Sequence, residues 1–324
     1  MNYVAVTLKG IEDVAAKELK SIDKQLKVIK IEEARIIFST KSIEKIKEAR
    51  TIVILYELLS KFNLKKLEDF NKELKKIDVS FIKEDFKVEC NREGEHNFNS
   101  NDVERYLGEK IYKKDFKVNL NSNTIIYVDI IKNKAFIGRL LTKEKLSKRN
   151  YRLKLSNKTL NPCLASALIL LSKLKEQDTI LDPFCRDGII PIEAALMDFK
   201  SVYGSDESSN NLRISKINSK LAGVNINLIH AKPSLNKYFK KNSLNIITNP
   251  LTASKKTSEA EVVRTYNEFF KVAKAIVKEK IAIAITKKAL FDSIAKSFKF
   301  KLLEERNVII GDLNYYILIY KTPK

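Results

Sequence analysis

The sequence predicts an α/β protein in two parts, a small α+β region followed by a doubly wound, mostly parallel sheet with helices on its faces. Period-2 and period-3.6 apolar patterns interchange irregularly up to Leu140, as expected of a mixed α+β arrangement. From Asn161 onward, helical stretches and short β-branched runs alternate regularly, which builds parallel strands joined by crossover helices. Only Gly311-Asp312-Leu313-Asn314 separates the final two strands. That is a tight turn, so the last pair must be antiparallel.

The first segment reads as strand Tyr3 to Leu8, helix Ile11 to Ile22, strands Lys27 to Ile31 and Arg35 to Ser39, and helix Ser42 to Ala49. The second reads as helices Thr51 to Lys61 and Lys65 to Ile77, strand Asp85 to Cys90, helix Ser100 to Lys113, and hairpin strands Thr124 to Ile131 and Lys134 to Leu140. Ser100 with Glu104 behind it makes a helix start, for which Asn99 and Asn101 are equally acceptable caps. The third begins with helix Pro162 to Lys175 and strand Thr179 to Leu181. Helix Ile190 to Met197 precedes strand Ser201 to Gly204, helix Asn210 to Ala222 precedes strand Ile226 to His230, and strand Leu244 to Ile247 follows. Helix Ser258 to Val277, strand Lys280 to Ile285, helix Leu290 to Ser297 and strands Lys301 to Ile310 and Tyr315 to Tyr320 complete the chain. Seven strands ending in an antiparallel hairpin mark the methyltransferase variant of the Rossmann arrangement, the class I fold.

With 44% hydrophobic and 31% charged residues, a soluble globular protein is the default. The longest apolar runs, such as Ile281 to Ile285, are too short to cross a bilayer. No signal peptide opens the sequence, since Met1-Asn2-Tyr3-Val4 leads directly into alternating residues, so the cytoplasm is expected. Cys90, Cys163 and Cys185 stand singly, which argues against a disulfide framework and against a structural metal. Against 40 acidic residues stand 61 Lys and Arg, a formal net charge of +21. A polyanionic partner explains that excess, although Lys-rich surfaces also arise from biased composition.

In such a sheet, ligand chemistry belongs at the carboxyl ends of the first strands. The stretch Leu181-Asp182-Pro183-Phe184-Cys185-Arg186-Asp187-Gly188-Ile189-Ile190-Pro191-Ile192-Glu193-Ala194-Ala195 lies there. It resembles the DPFCGSGT-IEAA motif of RNA methyltransferases that modify the exocyclic amine of guanosine. Arg186 departs from it where the family has Gly, as do Asp187 and Ile189 where it has small hydroxyl residues. The end of the second strand, Gly204-Ser205-Asp206, offers a carboxylate for ribose hydroxyls or, on the plainer reading, a helix cap. Gly223, ending Asn218 to Gly223, suits a left-handed helix cap. Where the family usually shows an acidic residue after the third strand, this chain has His230-Ala231-Lys232-Pro233-Ser234-Leu235. Thr248-Asn249-Pro250-Leu251-Thr252 resembles the (D/N)PP(F/Y) motif of amino-group methyltransferases, with Leu251 and Thr252 replacing the second Pro and the aromatic. Tyr266, Phe269 and Phe270 could supply a substitute ring, though their helical spacing suits core positions.

In the first half, Phe86 to Ser100, containing Arg92-Glu93-Gly94-Glu95-His96, resembles the FkVxxkReGxHxFxS stretch of the THUMP domain, an RNA-binding module that grips the 3′ end of tRNA. Gly10 to Val14 looks like the ferredoxin-like domain that precedes it, and Leu146 to Arg152 resembles the LsxRgYR linker that follows.

Together these motifs identify the chain as similar to archaeal-type THUMP-domain tRNA guanosine-N2 methyltransferases with degenerate catalytic motifs. The resemblance implies a ferredoxin-like domain over 1–50, a THUMP domain over 51–142, a linker over 143–160 and the methyltransferase domain over 161–324. It implies S-adenosylmethionine as cofactor, held at Asp182, Phe184, Cys185, Gly188 and Asp206. Asn249 and Pro250 would accept hydrogen bonds from the amine of a flipped guanosine, and no metal takes part. Arg92, His96, Arg149 and Arg152 are the expected RNA contacts. tRNA is the expected partner of an otherwise monomeric protein, a membrane is not, and a small activating subunit stays open. A catalytically silent, RNA-binding paralogue is the alternative.

Overall fold

Local chemistry starts and stops the elements. Asn161 accepts hydrogen bonds from the backbone N–H groups of Cys163 and Leu164, with Pro162 at the first helical position, so a helix must begin there. Asn99 and Asp102 exchange side-chain to backbone bonds of 2.9 and 3.0 Å, a reciprocal cap that selects Asn99 from its neighbours. The computed structural model describes residues 1–112, 116–155, 159–232, 238–255 and 257–323.

The chain forms two compact units, 1–6 with 16–146 and 7–15 with 147–324. The elements up to residue 146 are β1 (Asn2–Thr7), α1 (Glu12–Ile22), β2 (Lys27–Glu32), β3 (Arg35–Ser39), α2 (Ile43–Ile46), β4 (Ile52–Asn63), α3 (Asp69–Leu74), β5 (Asp85–Glu93), α4 (Ser100–Tyr112), β6 (Lys117–Val118), β7 (Ile125–Ile131) and β8 (Lys134–Leu140). Their strands make one sheet in the order β2-β3-β1-β4-β8-β7-β5-β6. The expected end of α4 at Lys113 lies outside the described residues.

Of the expected helix Thr51 to Lys61, residues 52 to 61 are instead part of strand β4. The run Thr51-Ile52-Val53-Ile54-Leu55-Tyr56 is rich in β-branched and aromatic residues, and β4 is a central strand between β1 and β8, with Tyr56 opposite Leu140. Pairing on both sides outweighs a local helical pattern that short apolar runs cannot distinguish from a strand. The expected helix Lys65 to Ile77 contracts to α3. Behind the sheet, Phe70, Leu74, Phe86, Val103, Leu107, Ile126 and Val128 form a core. On the opposite face of β7, beside Tyr56 and Tyr127, Asp129 is fully buried and accepts from Arg35 at 2.7 and 2.8 Å and from Asn91 at 3.0 Å.

In the second unit, helices α5 (Pro162–Ser172), α6 (Ile189–Leu196), α7 (Ser209–Leu221), α8 (Glu259–Ile276) and α9 (Lys288–Ser297) flank a seven-stranded sheet. Its strands are β9 (Thr179–Asp182), β10 (Ser201–Asp206), β11 (Asn227–His230), β12 (Leu244–Thr248), β13 (Val277–Ile285), β14 (Lys301–Ile310) and β15 (Leu313–Lys321). The order is β11-β10-β9-β12-β13-β15-β14, and only the pairs made by β15 are antiparallel. Strand order therefore reverses between β9 and β12, and the open crevice lies at their carboxyl ends. Gly223, at φ +69, ends the α7 segment in the left-handed conformation. Segment 7–15 packs in this unit: Lys9 bridges Ile309, and Arg306 bonds Asp13 and the Gly10 carbonyl. Gly10, at φ +102, allows the approach, because a Cβ there would stand 2.1 Å from the Asn307 carbonyl oxygen.

Among the described residues no helix is long and apolar enough to cross a membrane, and no three His, Cys, Asp or Glu side chains are grouped to hold a metal ion.

Candidate active site

β9 delivers its last residue, Asp182, to the switch point in a fully buried position. Its Oδ1 accepts from the Phe184 N–H at 3.0 Å and from the Thr248 hydroxyl at 2.5 Å, tying the turn and β12 to β9. Burial raises this carboxyl to about 7, and the two hydrogen bonds offset only part of the shift. The folded chain therefore keeps a proton that the unfolded chain, with an ordinary carboxyl near about 4, has already lost. The ionisation cost is absent below that lower value and complete above about 7, so this group lowers stability as pH rises through the window. We expect Asp182→Asn to flatten that decline in denaturant unfolding curves recorded from about pH 4 to about pH 8. Equal pH slopes in the two chains would contradict the assignment.

The turn 183–188 then splits into residues that face the crevice and residues that pack. Cys185 is buried, which pushes its thiol well up, and a Cβ on Gly204 would stand 3.1 Å from its sulfur. Gly188, at φ +81, caps α6, and a Cβ there would come within 2.2 Å of the Ser215 hydroxyl. Asp182, Cys185 and Gly188 thus build the turn. Phe184 and Asp206 line a cavity of about 360 Å³ beside it, with Arg186, Lys232, Leu251 and Arg264 also on its wall. Asp206 accepts from the Arg186 and Ser208 N–H groups and the Asn211 amide at 2.9 to 3.0 Å. The cap of α7 itself is Ser208, whose hydroxyl receives the Asn211 N–H. A carboxylate offers four acceptor positions, so these three donors among the described residues leave one for a hydroxyl. Of the stretch after β11 in which the acidic residue was looked for, Lys232 lines the cavity, and Pro233 to Leu235 lie outside the described residues.

Asn249 and Pro250 follow β12 directly. The Asn249 Nδ2 donates to the Ala284 carbonyl at 2.6 Å, which fixes the amide so that its oxygen presents the acceptor. Arg186, with φ +48, donates from Nη1 to that oxygen and from Nη2 to the Pro250 carbonyl at 3.4 Å. The rings considered as stand-ins for the missing aromatic belong to the core: Tyr266, Phe269 and Phe270 are buried, and the Tyr266 hydroxyl donates to the Leu251 carbonyl. Of the aromatics named, only Phe184 reaches the cavity wall.

The expected RNA contacts divide as well. Arg149 and Arg152 have side chains only 8% and 9% exposed, each paired with a buried carboxylate. Arg149 bonds Glu193 at 2.9 and 3.3 Å, and the Tyr151 and Ser166 hydroxyls donate to the same carboxylate. Burial opposes the charge on Arg149, yet Glu193 beside it holds the guanidinium protonated above its ordinary value. Arg152 bonds Asp187 at 3.2 Å and Thr159 at 2.6 Å. A buried carboxylate requires a cation, and these two arginines supply it. In the first unit, Arg92 Nη1 donates to the Gly94 carbonyl at 2.8 Å and to His96 Nδ1 at 3.0 Å. His96 Nε2 donates to the Lys132 carbonyl at 2.6 Å, which sets its tautomer and braces the loop.

Sequence reasoning did not assign Glu193, Thr248, Lys232 or Arg264. Glu193 was visible as a motif letter, but its partners come from the linker and α5, and only folding joins them. Lys232 and Arg264 carried no local signal.

Comparison with known proteins agrees with this layout. Residues 149–315 match the family described as "RMKL-like, methyltransferase domain", and residues 64–139 match the THUMP domain. The chain is 32% identical to the tRNA (guanine(6)-N2)-methyltransferase of Methanocaldococcus jannaschii, over 97% of its own length and 98% of that protein. It is 27% identical to the enzyme of the same name from Archaeoglobus fulgidus, over 99% and 92%. The crystal structure of TrmN from Thermus thermophilus shares the fold, with a TM-score of 0.85 and 24% identity, covering 99% of both chains.

Proposed function

From the premise that the chain belongs to the family of THUMP-domain tRNA (guanine-N2)-methyltransferases, we propose that it methylates the exocyclic amine of a guanosine near the start of tRNA, with S-adenosylmethionine as donor. The observation that carries the proposal is the fixed acceptor pair, the Asn249 amide oxygen and the Pro250 carbonyl, beside a cavity lined by Phe184 and Asp206.

The cofactor would fit this lining. Asp206 keeps an acceptor for a ribose hydroxyl, Phe184 gives an apolar wall, and the volume of about 360 Å³ suits a nucleoside-sized group. When bound, S-adenosylmethionine supplies an electrophilic methyl group. The protein's part is positioning: Asn249 and Pro250 accept the two N–H bonds of the amine and so turn its lone pair outward. No side chain need form a covalent bond to the base. Full-length kinship with named methyltransferases favours this reading over a silent, RNA-binding paralogue.

Incubation of the full chain with the cofactor and unmodified tRNA, followed by nucleoside mass spectrometry, is expected to yield N2-methylguanosine. Tandem mass spectrometry of nuclease fragments then locates it at nucleotide 6, the position that the relatives' names carry. No methylated guanosine in any tRNA would overturn the proposal.

A further inference from the structure

Arg186 occupies a position whose chemistry bears on substrate entry. Its guanidinium spans the Asn249 oxygen and the Pro250 carbonyl, the same two acceptors that the proposed function assigns to the target amine. A guanidinium presents two N–H donors to the same two acceptors, as the amine's two N–H bonds would. We propose that Arg186 is an internal stand-in for the target amine, holding its two acceptors until the incoming base displaces it.

Three features support this reading, which rests on the methyl-transfer function proposed above. The acceptors are rigid: Asn249 is anchored to the Ala284 carbonyl at 2.6 Å and follows the end of β12. The arginine, by contrast, is half-buried, lines the cavity and has room to withdraw into it. Its backbone sits at φ +48 with the N–H held by Asp206 at 3.0 Å, a left-handed conformation that favours glycine. The chain thus keeps a long cation at a position whose backbone favours glycine.

A seated arginine multiplies the apparent affinity by the fraction of time the pair is open.

The test compares the full-length chain with Arg186→Gly, which suits the backbone and should fold, and with Arg186→Lys. Arg186→Gly is expected to lower KM for tRNA roughly tenfold with a smaller change in kcat. Arg186→Lys, which cannot span both acceptors, is expected to fall between. By calorimetry, methylguanidinium chloride is expected to bind Arg186→Gly and not the parent chain, and to inhibit only that variant competitively with tRNA. A raised KM in Arg186→Gly, or equal methylguanidinium binding by both chains, would overturn the inference. Absence of methyl transfer from both chains would instead sink the methyl-transfer reading. Calorimetry still judges the occupancy of the acceptor pair in that case, since it needs neither cofactor nor RNA.

Discussion

Asn249→Ala is expected to lower kcat for methyl transfer by about 10²- to 10³-fold, the scale seen when one preorganised polar partner of a transition state is removed. The amine of guanine is a poor nucleophile because its lone pair is delocalised into the ring. Acceptors on its two N–H bonds pull the nitrogen toward tetrahedral geometry and relieve positive charge as the new C–N bond forms. The Asn249 oxygen is aimed for this by the Nδ2 bond to the Ala284 carbonyl at 2.6 Å, so it needs no reorganisation during reaction. Folding should suffer little, since the half-buried side chain contributes about 1 kcal/mol through its hydrogen bonds. Cofactor affinity, measured by calorimetry, should stay within about twofold, because Asp206 and Phe184 stand on other elements. A variant that retains parental kcat would remove Asn249 from the chemistry. Because Arg186 loses a partner in the same variant, KM for tRNA should not rise in proportion.

Glu193→Ala is expected to destabilise the second unit by about 3 to 5 kcal/mol, the cost of leaving a buried cation without its partner. Glu193 is fully buried and receives Arg149, Tyr151 and Ser166, so three side chains lose a common acceptor at once. Arg149→Ala strands the carboxylate instead and should cost a similar amount. The apolar double variant Arg149→Met with Glu193→Leu should recover much of the loss, since well-packed apolar replacements of buried ion pairs are often neutral. Urea unfolding of the full chain measures all three. The same chains decide the fate of the phosphate reading of Arg149. If the arginine contacts RNA, Arg149→Ala loses tRNA affinity and keeps its stability. If it serves the buried network, the unfolding midpoint drops while tRNA binding at low temperature is retained.

The behaviour of Arg149 and Arg152 shows where sequence reasoning reaches its limit. The linker stretch Leu146 to Arg152 and the Ile192-Glu193-Ala194-Ala195 stretch each stand out as motifs, yet neither says that it is half of one buried network. The reading of these arginines as RNA contacts followed from the linker resemblance and their charge, and neither reports burial. Asp182, Cys185 and Gly188 repeat the pattern on a smaller scale. Their motif runs beside the cavity, while only side-chain direction separated these turn-building residues from Phe184 and Asp206 on its wall.

Periodicity and turn chemistry were enough to specify the seven strands of the second unit, the helices between them and the antiparallel closing pair, because each is a local pattern that repeats over several residues. The same residues also disclosed the family, through motifs in both halves of the chain. Tertiary structure alone decided that residues 52–63 are a strand, since that depends on having a partner on either side. It also decided that Arg186 reaches the acceptors of Asn249 and Pro250, 63 and 64 residues further on. Contacts over such separations leave no trace in a window of neighbouring letters, because the energy that creates them is gained only when the chain has closed on itself.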